Sequence, residues 1–175
     1  MGKWLLVSVA GMGFLLSGHV YADEGILLTF SGNVPIQSYV TGGGFTSIYP
    51  DVVVYDTEGM TDPLYPGHIV IPADANFTHL EVKTSLVWDS TAGGIRQTIL
   101  QLQRGGGSIP VYGRLNAKDP VGLVGQNFVQ HGTSAPIPVQ AGDRIYIQVL
   151  QDSGVTANIL AIDSTWIYAR GVNLR

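Results

Sequence analysis

Three carboxylates, Asp56, Glu58 and Asp62, fall within seven residues around Gly59. Oxygen-rich loops take calcium, which makes these three the calcium candidates of the chain. Their spacing does not match an EF-hand loop, and solvated loop carboxylates are the simpler reading. His68, His79 and His131 stand far apart without zinc-ligand spacing, so a metal centre there needs the fold to gather them. There is no cysteine, which excludes zinc–thiolate sites, iron–sulfur clusters, a cysteine nucleophile and disulfides. Ser153, in Gln151-Asp152-Ser153-Gly154, lacks the Gly-x-Ser-x-Gly context of a nucleophile elbow. Acidic residues are few and sit mostly in turns, so a hydrolase with paired carboxylates ranks below binding functions. No catalytic residue and no cofactor beyond calcium is expected.

The other polar signals read as architecture. Trp88 ends an alternating run and reads as a core anchor whose indole N–H needs a buried partner. Trp166, on the last such run, is read as core as well. Arg96 is placed to pair with Asp89 or Asp143 across strand ends. Asp143 follows Gly142 and reads as a turn residue whose carboxylate accepts backbone N–H groups. Asn76-Phe77-Thr78 is a glycosylation sequon, meaningful only in a eukaryotic secretory pathway.

These residues must be positioned by strands. Glycine is plentiful, at 23 of 175 residues, and charged residues make up only 13%. That balance favours strands and tight turns over helices. A hydrophobic share of 45% supports one core, and the length suits a single domain. The net charge of −4 leaves no electrostatic footprint for nucleic acid.

Residues 1–22 read as a separate unit. Lys3 precedes an apolar run from Trp4 to Leu16, and His19-Val20-Tyr21-Ala22 offers a cleavage site after Ala22. The pattern predicts a secretory signal peptide, the alternative being an uncleaved apolar arm; the run is short for a membrane span. Residues 23–45 hold two strands, Gly25–Phe30 and Val34–Val40, and end in the Gly42-Gly43-Gly44 break. That break reads as a loop within one domain or as a linker ahead of a globular part at 46–175.

Period-two alternation is clearest from Leu80 onward. Leu80, Val82, Leu86 and Trp88 share a face opposite Glu81, Lys83 and Ser85. Ile95–Gln103 follows, closed by Gly105-Gly106-Gly107 as a hairpin-like connection. Val121–Gln130 and Ala135–Val139 are expected as strands with a turn at Gly132. Ile145, Ile147 and Val149 then alternate with Tyr146, Gln148 and Leu150, and Asn158–Ile162 and Thr165–Ala169 complete the set. With Ile48–Tyr55 as one earlier strand, this predicts about eight to ten strands in an all-β, antiparallel jelly-roll β-sandwich with a short N-terminal apolar segment.

Several short motifs carry a resemblance. They are Asp56-Thr57-Glu58-Gly59 after an apolar strand, Ile69-Val70-Ile71-Pro72-Ala73, Gly93-Gly94-Ile95-Arg96-Gln97, Val139-Gln140-Ala141-Gly142-Asp143 and Ser164-Thr165-Trp166. In their order, the segment from Ser47 onward resembles the jelly-roll heads of the complement-type and tumour necrosis factor-like proteins, and is most similar to phage virion and bacterial surface versions. The chain departs from that pattern at Arg104-Gly105-Gly106-Gly107 and at Ile167-Tyr168-Ala169-Arg170. The resemblance implies a non-enzymatic homotrimer, displayed on a virion or exported to a cell surface, with a host-surface, glycan or virion protein as partner. Tyr146, Leu150 and Tyr168 are the residues expected at its interface. The competing reading is a secreted monomeric carbohydrate-binding protein, which the solution mass separates from a trimer.

Overall fold

The computed structural model describes residues 24–89, 94–105, 107–110, 118–120 and 126–174. The expected signal segment 1–22 lies outside the described residues, as does the start of the expected strand Val121–Gln130. Fourteen strands are present among the described residues: β1 Ile26–Thr29, β2 Val34–Ile36, β3 Thr46–Ile48, β4 Val52–Asp56, β5 Ile69–Val70, β6 His79–Trp88, β7 Ile95–Arg104, β8 Gly107–Pro110, β9 Lys118–Pro120, β10 Phe128–Thr133, β11 Ile137–Pro138, β12 Arg144–Gln151, β13 Ala157–Ile159 and β14 Trp166–Val172. They form two antiparallel sheets, the jelly-roll sandwich that the alternation predicts.

The first sheet runs β2-β13-β6-β14-β1-β4, with β10 and β11 also paired to β6. The second runs β3-β12-β7-β8, with β5 on β12 and β9 on β7. Period two does the work in each long strand. Leu80, Val82, Leu86 and Trp88 turn inward from β6, Ile145, Ile147 and Val149 from β12, and Leu100 and Leu102 from β7; all are buried in one cluster. Ile26 and Leu28 of β1 and Ile167 and Ala169 of β14 complete the first sheet's inner face.

The strand count exceeds the sequence expectation because one expected strand is divided and two strands, β8 and β9, fall where none was expected. Ile48–Tyr55 is two strands in different sheets: β3 pairs with β12, whereas β4 pairs with β1. The chain crosses between sheets at Tyr49-Pro50-Asp51, where Pro50 has no N–H to give to a ladder. Gly132 is no turn; it lies inside β10 opposite Thr84. The segment from Glu24 to Gly44 does not stand apart from a globular part at 46–175. Its Ile26, Leu28 and Ile36 are buried in the common core, and β1 sits between β14 and β4. Trp166 is not a core residue. On β14 it is Ile167 and Ala169 that face inward, leaving Trp166 half-buried on the outer face.

A buried polar bridge joins the two sheets. Trp88 Nε1 donates to Gln130 Oε1 at 3.3 Å, and Thr98 Oγ1 donates to the same oxygen at 2.7 Å. Gln130 Nε2 donates to the Arg96 carbonyl at 2.9 Å. Arg96 is itself fully buried, its guanidinium 5.3 Å from the Trp88 ring centroid. Burial lowers its pKa, and the charges of Asp89 and Asp152 work against that shift. Asp143 pairs not with Arg96 but with Arg104, whose Nε donates to Oδ1 at 2.8 Å. Asp143 also accepts the Gln140 N–H at 2.9 Å, closing the turn ahead of β12.

Candidate functional site

The three calcium candidates do not converge. Asp56 accepts the N–H groups of Met60 and Thr61, both at 2.9 Å, and the Thr61 hydroxyl at 2.8 Å. Asp62 accepts the Leu64 N–H. Glu58 turns away to accept the Gly171 N–H at 2.9 Å near the end of β14. Each carboxylate completes a local backbone turn or strand end, and no metal-holding cluster of His, Asp and Glu exists among the described residues. The histidines are also separate: His79 contacts the Thr78 hydroxyl, His131 sits on β10, and His68 belongs to an aromatic group described below.

The interface candidates divide between the two sheets. Tyr168 is on the outer face of the first sheet, whereas Tyr146 and Leu150 are on the outer face of the second. Register places Tyr168 in a row that crosses the first sheet: Lys83 is opposite Tyr168, Tyr168 opposite Leu27, and Leu27 opposite Tyr55. Directly opposed side chains share a face. Trp166, two residues from Tyr168, lies on the same face. The Tyr168 hydroxyl donates to the Glu24 carbonyl at 2.9 Å, and burial first of all pushes its pKa up to about 12. The Arg170–Glu81 ion pair, 2.8 Å long, flanks the row.

That row runs out at β4, an edge strand whose only strand partner among the described residues is β1. Val52, Val53 and Val54 of β4 are 36%, 50% and 55% exposed. The β1–β4 register shifts at Leu27/Leu28, a bulge of the kind that bends sheet edges. Beside it lies a cleft of about 260 Å³ bounded by Leu28, Pro50, Val53, Pro63, Tyr65 and His68.

The cleft adjoins a set of rings whose assembly the sequence did not show, although His68 and Tyr146 were singled out separately. His68 stacks on Tyr65, with centroids 5.9 Å apart and planes 13° apart, and on Tyr146 at 5.1 Å and 18°. Tyr49 tilts against His68 at 5.3 Å and against Tyr146 at 6.3 Å. The Arg144 guanidinium lies 3.4 Å from the Tyr65 ring centroid. Burial, reinforced by the Arg144 charge, lowers the His68 pKa. A turn in which the His68 N–H bonds the Tyr65 carbonyl at 3.0 Å brings these rings to Tyr49. Gly67 has φ 77°, and a Cβ there would lie 2.6 Å from Tyr49 Cβ, so the approach needs glycine. The available signal was the Tyr65-Pro66-Gly67-His68 turn, but nothing in its spacing points to Tyr49 or Tyr146.

Two outer faces therefore carry the surface chemistry of a jelly-roll sandwich. No family model and no curated protein matches this chain. Among solved structures it is similar to the Eiger TNF of S. frugiperda, with 14% identity and a TM-score of 0.49 over 87% of this chain and 96% of that one.

Proposed function

We propose that the protein is a non-enzymatic structural or binding module that is exported, or carried on a virion, and that assembles as a homotrimer through the outer face of its first sheet. One observation carries the self-association: the Tyr168–Leu27–Tyr55 row leads into an edge strand whose Val52, opposite Thr29, is exposed on the same outer face. A β-branched edge strand invites further strands. A protein that persists outside the cell gains from covering it, and apolar patches on such edges mark association sites. The count of three comes from the resemblance to trimeric jelly-roll heads.

Light scattering at micromolar concentration decides it. The expected mass is three times that of one subunit, which is 18.7 kDa for the full chain. Leu27→Lys places three like charges around the assembly axis and is expected to release subunits that keep their β-rich circular dichroism spectrum. Leu150→Lys, on the opposite sheet, should leave the mass unchanged. A wild-type mass of one subunit rejects the trimer, and dispersal by Leu150→Lys with no effect of Leu27→Lys moves the interface to the other sheet.

A further inference from the structure

The outer face of the second sheet bears features of a ligand site rather than a packing surface. Tyr49, Tyr65, His68 and Tyr146 hold one another by ring contacts, so little rotamer freedom is left for a ligand to freeze. Tyr49 is nevertheless 48% exposed. Around the rings, register puts Gln101 opposite Tyr146 and Gln148 opposite Ser47, and Gln148 Nε2 donates to Ser47 Oγ at 3.2 Å. The outward positions of β7 and β12 include no carboxylate; Arg144 is the charge among them. The neighbouring cleft of about 260 Å³ is below the roughly 300–1,000 Å³ of drug-sized sites and leaves room for about one six-membered ring.

From this arrangement we infer that the Tyr49–Tyr65–His68–Tyr146 cluster is a saccharide-binding platform. A pyranose presents a face of C–H groups above a belt of hydroxyls. Tyrosine rings meet the first with rigid, amphipathic area. Amides and a guanidinium meet the second with donors and acceptors that lie in a plane. A protein partner would find an aromatic island set among glutamines, with Ile99 and Leu150 as the aliphatic side chains at the outward positions of β7 and β12 beyond Ile95. The inference rests on the reading of the protein as a binding module but not on the trimer.

The test uses the full exported protein against a panel of soluble α- and β-glucans, galactans and bacterial O-polysaccharides, by calorimetry and by chemical-shift mapping. Expected is binding by at least one member, with shifts at Tyr49 and Tyr146. Tyr49→Ala should then weaken it by about tenfold or more, the loss of one good ring contact, with unchanged melting temperature and mass. Gln148→Ala should weaken it less, and Gln97→Ala, further along the sheet, not at all. If Tyr49→Ala fails to fold, the wild-type shift map still decides. Saccharide binding by a wild-type protein of single-subunit mass sinks the trimer and leaves this platform standing. Absence of binding across the panel at about 1 mM overturns the platform, as does binding that Tyr49→Ala leaves intact. Capture of a protein partner through these rings, with no saccharide bound, also rejects it.

Discussion

Replacing Gln130 with leucine keeps much of the side-chain volume but removes the groups that bridge the two sheets. Gln130 is 1% exposed, and Trp88 and Thr98, which donate to it, are 0% and 1% exposed. Water cannot take over for either donor. A buried donor left without a partner costs about 1–3 kcal/mol. The long 3.3 Å indole contact belongs at the low end, and the 2.7 Å hydroxyl contact nearer the middle. With the Arg96 carbonyl also losing its amide donor, the total is about 4 kcal/mol. Burying the added apolar surface returns about 1 kcal/mol, leaving a loss of about 3 kcal/mol. For a domain of this size that lowers Tm by about 6–12 °C. Urea unfolding at fixed protein concentration measures it, and the double variant with Thr98→Val tests the cause. Coupling of about 1 kcal/mol between the two sites is expected. A Gln130→Leu loss below about 1 kcal/mol, or zero coupling, would refute the bridge as a stabilising element.

Two further outcomes follow from local geometry. In Gly171→Ala the new Cβ would lie 2.1 Å from Phe77 Cδ1, and Phe77 is buried; overpacking should cost about 1–3 kcal/mol, part of which Phe77→Leu should restore in a melting experiment. His68 has its pKa lowered from 6.5 by burial and by Arg144, so the unfolded chain takes up the proton first. Stability contributed by neutral His68 should fall as pH drops from about 6.5 towards the folded value, and His68→Phe should flatten that part of the pH–melting profile.

The inward face of the long strands was legible from alternation alone, because Leu80, Val82, Leu86 and Trp88 leave the backbone every second residue. What failed was anything decided by the far side of the molecule. Trp166 has the composition of a core residue, yet its parity relative to Ile167 and Ala169 puts it outside. Phe128–Gln130 falls within an expected strand, but Gly132 reads as a turn until it is seen opposite Thr84 inside the same strand. The acidic trio was a calcium candidate only through closeness in sequence, and Glu58 reaches 113 residues along the chain to Gly171. The aromatic platform was invisible for the same reason. Tyr49, Tyr65 and Tyr146 come from three separated segments, and only the sheet crossing at Pro50 and the Gly67 turn bring them into one place.

The order of strands in the first sheet sets how this chain must fold in time. β1, the first strand described, lies beside β14, the last, with Leu27 opposite Tyr168, and β2 pairs with β13, Val34 opposite Ile159. Neither ladder can close until the late strands β13 and β14 have been synthesised. Loop closure over such distances is slow, which places the protein among the sluggish folders of its size. Meanwhile Ile26 and Leu28 have no strand on one side and the valines of β4 are open on the other, a combination that favours pairing between chains. Deleting β14 is therefore a different injury from trimming an ordinary terminus. It removes the strand between β6 and β1, and the nascent chain keeps a sticky, unfinished sheet for good.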